Sequence, residues 1–258
     1  MEKISNSKKH KINFLIDNWM NNYYVPNCNI SIYKNNKQLL SQSYSKNNIS
    51  SVDTIYNICS CTKSMTAIGI LQLCQKNFIS LDDDITQYIS VPSNKKISIH
   101  NLLSHSSGMP SDGLLTEILN QKTKRRYSNE KLTNHCKFIN YSFTYYDITD
   151  NKFRYYNTGY ILLGKIIEKI TNNSYEDYIQ KNILDKLNIT NFYFSHNKEK
   201  IKSNNKVAEP YLNKEKDIIK SDFYYEKIIN PAGGLFISIP DLCKYVKYHG
   251  SPHPWYSA

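Results

Sequence analysis

A strand-like run, TIYNI (54–58), gives way at residues 59–63 to a helix-periodic one, in which Met65, Ile68, Leu71 and Leu73 recur at helical spacing up to Lys76. A strand that feeds a helix with almost no loop calls for a fold carrying both kinds of element on one core. The junction reads CSCTK and sets Ser60 three residues before Lys63. Serine is a favoured helix cap and lysine is ordinary on an exposed turn, so S-x-x-K alone reads equally well as the start of a helix.

The neighbouring segments extend the mixed pattern. Ile12, Leu15, Ile16, Trp19 and Met20 mark an opening helix within 9–24 that ends before Pro26. CNISIYK (28–34) and QLLSQSYS (38–45), joined through KNNK, predict an antiparallel hairpin. TGYILLGKIIEKI (158–170) and SYEDYIQKNILDKL (174–187) predict two helices, the second opened by Ser174 with acids in its first turn. After GGLFIS (233–238), Ser238 and Asp241 form an S-x-x-D cap for DLCKYVKY (241–248). The Asn- and Lys-rich stretch 196–206 reads as a mobile loop, and no internal repeat is present. The fold class expected is α/β (α+β): a single domain with a sheet-side region at 1–60 and about 235–258, and a mainly helical region at about 61–234.

With 258 residues the chain is long enough to bury a full core. Its net charge of +11 permits nucleic-acid binding, but the lysines are scattered, with only KKHK (8–11) and KTKRR (122–126) clustered, and no recognition motif accompanies them. An Asn-, Lys-, Ile- and Tyr-rich text reflects AT-rich codons more simply than it does a polyanion partner. INFLI (12–16), cut short by Asp17, is too brief for a signal peptide or a membrane span, so the expected location is cytoplasmic. The six cysteines (28, 59, 61, 74, 136, 243) contain no C-x-x-C pair, which favours free thiols over disulfides or a metal site; no metal or cofactor is expected. The N-x-S/T sequons at Asn48, Asn140, Asn172 and Asn188 read as chance in so Asn-rich a chain.

Residues three apart share a helix face, so Ser60 and Lys63 can meet in one cleft. A lysine takes a serine's proton only where burial or nearby cations lower its pKa, and a serine at a helix start can offer its backbone N–H to a developing oxyanion. Further blocks follow in order: LDDDITQYI (81–89), IHNLLSHSSGMP (99–110), FRYYNTGYILLGKIIEKIT (153–171) and NPAGGLFISIPDLCKY (230–245). Five of the eight glycines (108, 159, 164, 233 and 234) fall inside them. Taken together, from about Val25 to Tyr248, the ordered set resembles the serine β-lactamase and penicillin-binding family, in its class C and D-alanyl-D-alanine carboxypeptidase-like branch.

The resemblance implies a mixed sheet with helices, a mainly helical domain and a site between them. It implies a serine hydrolase or acyl-transferase acting on a β-lactam, a D-alanyl peptide or a small ester, with no cofactor. Ser60 would attack the carbonyl and Lys63 would share or accept its proton. Tyr155, first residue of Tyr155-Tyr156-Asn157, would shuttle the proton, and Asn157 would contact the substrate amide and orient the lysine. Tyr156 occupies the variable position. His105 reads as a structural histidine fixing a turn before Gly108. A Ser-His-Asp hydrolase is the rival reading, but G-x-S-x-G is absent.

The family's third motif, K-T-G or H-x-G, has no counterpart in the chain; His249-Gly250 lacks the spacing residue. The resemblance assigns one oxyanion donor to that strand, and losing such a donor typically costs about 2.7–4 kcal/mol. The tail SPHPWYSA holds two of the eight prolines and one of the two tryptophans, which leads to the expectation of a frameshift or premature stop, with sheet strands missing. The alternative reading is therefore a truncated, non-catalytic pseudoenzyme or binding module of the same fold. The expected partner is a small-molecule or peptide substrate, with no specific nucleic acid and no membrane span; oligomeric state is not legible.

Overall fold

Ser5, Ser98 and Ser174 each cap the start of a helix in the computed structural model, which describes residues 4–46, 50–90, 96–108, 152–214, 217–223 and 225–249. KTKRR, Cys136, the sequons at Asn48 and Asn140, and the tail from Gly250 fall wholly or in part outside them. The fold is α/β with antiparallel sheets, and the chain divides into a sheet-bearing unit and a helical unit.

The sheet-bearing unit comprises Met1–Ile58, Leu187–Tyr225 and Leu235–Pro254. Ser5 caps α1 (Asn6–Asn22). Strands β1 (Asn27–Lys34) and β2 (Lys37–Ser45) form the expected hairpin, turning through Asn35 and Asn36, whose φ angles of 49° and 60° are those a two-residue type I′ turn needs. The α1 side chain of Asn13 accepts hydrogen bonds from Tyr44 (2.8 Å) and Gln42 (3.3 Å) on β2. A second sheet has the order β3–β7–β4, all antiparallel: β3 (Ile55–Asn57) and β4 (Phe192–Phe194) flank β7 (Leu235–Ser238). All four β7 residues are buried, as a central strand covered on both faces requires.

Two expectations need correction here. The stretch 196–206 is no loop: α6 (Lys198–Ser203) crosses it, and Ile201 packs with Ile55, Val207 and Phe236, a single buried apolar side chain that anchors an otherwise polar turn. Residues 187–225, read as part of the helical region, belong with the sheet, because β4 pairs with β7 and the β5–β6 hairpin (Tyr211–Lys214 and Asp217–Lys220) follows. The chain closes with α8 (Ile239–His249), where the Ser238 hydroxyl accepts the Asp241 N–H at 3.4 Å, matching the S-x-x-D reading.

The helical unit comprises Cys59–Lys186 and Glu226–Gly234. A one-turn 3₁₀ segment, Cys59–Cys61, leads into α2 (Thr62–Gln75). Thr62, Lys63, Met65, Thr66, Ile68, Gly69, Ile70, Gln72 and Leu73 are all buried, so α2 is enclosed on nearly every side rather than amphipathic. Around it lie α3 (Ile99–Leu103), opened by a Ser98–Asn101 capping box, and α4 (Asn157–Thr171), which stops where Asn172 turns left-handed at φ 53°. The expected helix at 174–187 is broken into α5 (Tyr175–Ile179), a π turn over Gln180–Leu184 and a 3₁₀ turn; the wider π turn lets Ile183 and Leu184 both enter the core. Last comes α7 (Asn230–Gly233). Among the described residues, no helix is long and apolar enough to cross a membrane.

Candidate active site

Ser60 is exposed, on the 3₁₀ turn before α2, while Lys63, one turn further on, is 6% exposed. Cys59, just before the serine, holds a left-handed backbone with φ 46°, a conformation that strains a non-glycine residue by roughly 1–2 kcal/mol and sits where a site can use it. Burial pushes the Cys59 thiol pKa up, neighbouring Cys61 adds to the shift, and Lys63 opposes it.

The Lys63 ammonium donates to three acceptors: Ser60 Oγ at 3.1 Å, Asn157 Oδ1 at 2.7 Å and the main-chain carbonyl of Ala232 at 2.6 Å. An ammonium has three protons to give, so these bonds account for all of them and make its burial tolerable. Its charge also faces the rings of Tyr155 and Tyr160, 5.0 and 5.6 Å from their centroids. The Tyr155 hydroxyl donates to Ser60 Oγ at 2.7 Å. All four residues singled out from sequence therefore converge on one point within the helical unit.

The adjacent tyrosines of Tyr155-Tyr156-Asn157 part company in space. Tyr155 is 49% exposed and meets the serine, whereas Tyr156 is 1% exposed and shares a 2.5 Å hydrogen bond with Ser107. Gly159 is what admits the Tyr156 ring: a Cβ there would lie 2.7 Å from it.

The acceptor at Ala232 belongs to α7, and its anchorage was not legible in the sequence. Thr66, one turn beyond Lys63, bonds the Pro231 carbonyl and the Tyr175 hydroxyl, each at 2.7 Å. The buried Asn230 amide donates to Glu176 Oε1 at 2.5 Å, and Lys227 stands 3.2 Å from the other carboxylate oxygen. Pro231 in turn lies against α4 at Gly164, where a Cβ would come within 2.3 Å of the proline ring. A polar Thr66 inside an apolar helix, at the Ser60–Lys63 spacing, was the available signal; the carbonyls left none, since backbone acceptors have no letter in a sequence. Burial pushes the Tyr160 phenol pKa up, with Tyr155 contributing, while its hydroxyl donates to the Leu103 carbonyl at 3.0 Å. Among the described residues no cluster of His, Cys, Asp and Glu is arranged to hold a metal ion.

Known proteins resemble this chain in sequence and in fold. Protein flp of Staphylococcus aureus strain MRSA252 is 27% identical over 267 residues, covering 99% of this chain and 52% of that protein. Penicillin-binding protein 4* of Bacillus subtilis strain 168 is 28% identical over 131 residues, covering 51% of this chain and 28% of that protein. The chain thus spans about half the length, or less, of these curated relatives. The octameric penicillin-binding protein homologue of Pyrococcus abyssi superposes with a TM-score of 0.81 at 32% identity, over 93% of this chain and 56% of that one. A class C beta-lactamase shares the fold with a TM-score of 0.72 at 21% identity, over 95% of this chain and 66% of that one. The family model described as Beta-lactamase matches residues 13–254, and the chain belongs to that family.

Proposed function

We propose that the protein is a serine acyl-transferase or hydrolase working through an acyl-enzyme on Ser60. Ser60 Oγ attacks the carbonyl carbon of a β-lactam, D-alanyl peptide or small ester, and its proton passes to the Tyr155 oxygen as the Tyr155 hydroxyl proton moves on towards the leaving group. Collapse of the tetrahedral intermediate expels the amine or alcohol, which takes that proton, leaving an ester on Ser60 for water or another acceptor to cleave. Tyr155 serves this role as a proton relay, its hydroxyl lying 2.7 Å from Ser60 Oγ and the Lys63 charge 5.0 Å from its ring. Lys63 then acts as the fixed cation, its three N–H groups already directed at acceptors. Asn157 holds Lys63 and offers its amide to the substrate.

The observation that carries the reading is the pair of contacts on one exposed hydroxyl: Tyr155 at 2.7 Å and Lys63 at 3.1 Å from Ser60 Oγ. A cap serine has no use for a phenol and a buried ammonium on its oxygen. The test is intact mass after incubation with benzylpenicillin, and separately with p-nitrophenyl acetate, for the wild type and Ser60→Ala. A one-acyl adduct on the wild type alone is expected. An adduct that persists in the alanine variant sinks the assignment.

A further inference from the structure

His105 belongs to neither S-x-x-K nor Y-x-N, yet it grips the second from several sides. It follows α3, is 8% exposed and holds a left-handed backbone with φ 56°. Its main-chain carbonyl accepts the Arg154 N–H at 2.8 Å, and its Nδ1 accepts the Tyr156 N–H at 3.4 Å. One histidine thus holds the backbone amides on both sides of Tyr155. Its imidazole also packs on the Tyr155 ring, centroids 4.6 Å apart and tilted 37°, and on the Tyr160 ring at 5.2 Å and 36°. Phe153 and Tyr156 meet it edge-on, both at 5.7 Å.

A tyrosine that is half exposed can turn its hydroxyl to solvent, so something must keep the Tyr155 oxygen on Ser60. We infer that His105 is the positioning residue for Tyr155, fixing the backbone by two hydrogen bonds and the ring by stacking. This rests on the reading of Tyr155 as proton carrier. The role needs three properties together: an acceptor at the Nδ1 position, a flat face for the phenol and tolerance of positive φ. Asparagine has the first and third and lacks the second, which makes His105→Asn the informative change.

The experiment is a double-mutant cycle on the rate of acylation by benzylpenicillin, followed by intact mass, in wild type, His105→Asn, Tyr155→Phe and the double variant. Because a misplacement of about 1 Å can slow a reaction roughly 10²-fold, His105→Asn is expected to slow acylation about 10- to 100-fold while adding less than about twofold in the Tyr155→Phe background. An equal loss in both backgrounds overturns the inference, since it marks a general structural role. A second readout is independent of activity: the ¹³C ring resonance of Tyr155, assigned by its loss in Tyr155→Phe, is expected to lie away from the solvent-exposed tyrosine position and to return there in His105→Asn. A wild type that takes no acyl group refutes the proposed function; an unmoved resonance refutes the positioning role. If His105→Asn does not fold, His105→Gln replaces it, as it also lacks the ring and keeps an acceptor.

Discussion

Around Ser60 polar groups are buried and paired, whereas the β5–β6 hairpin shows apolar ones to solvent. Lys63 is 6% exposed, and Thr66 and Asn230 are fully buried, each with partners at 2.5–3.1 Å. Leu212, Ile218 and Ile219 are 60%, 40% and 46% exposed. The hairpin is held by its ladder and a surface Lys220–Glu209 ion pair, a kind of contact that contributes little on its own. The difference shows where geometry is specified: each buried polar pair admits one arrangement, because an unmatched partner is costly there, while an exposed hairpin tolerates many side chains.

Removing a buried partner should have the largest effect. Lys63→Met takes the donor from the Ala232 carbonyl and from Asn157, and should lower stability by about 1–3 kcal/mol in urea unfolding and eliminate the acyl adduct. Gly164→Ala strikes the same network from α4, by driving a methyl into Pro231; overpacking of this kind costs about 1–3 kcal/mol, and it should slow acylation by displacing the Ala232 carbonyl. If acylation is unchanged in a folded Gly164→Ala protein, α7 does not set the lysine.

A smaller effect concerns pH. Asp83 accepts hydrogen bonds from Tyr88 (2.5 Å) and the Ser80 N–H (2.6 Å), and these hold its pKa below the usual carboxylate value. A depressed folded-state pKa means stability present above the unfolded value and lost as pH falls through the folded one, so the loss belongs below about pH 4. Asp83→Asn should flatten that part of a thermal-melt pH profile. Smallest of all, Leu212→Thr or Ile219→Thr on the hairpin should shift stability by no more than about 0.5 kcal/mol. A larger drop would mean that this face is covered in solution.

Much of this architecture was open to reading because it is local. The β1–β2 hairpin follows from alternation around two asparagines, α4 from its apolar spacing, and the Ser238–Asp241 cap from one hydroxyl and one carboxylate. The broken helix after Tyr175 and the small helix around Ile201 were missed, since both depend on which core a side chain enters. Ser60 and Lys63 were legible as neighbours on a helix; Tyr155 and Asn157 became candidates only through resemblance of the ordered motifs.

The sequence by itself determined which chemistry was available, through the spacing of S-x-x-K, the Y-x-N triplet and glycines where elements approach closely. Tertiary structure alone decided which carbonyl completes the lysine's three bonds, and that a histidine fifty residues before the triplet holds it in place. The physical reason is that hydrogen bonds and ring contacts depend on distance in space, while helix period and turn chemistry depend on distance along the chain.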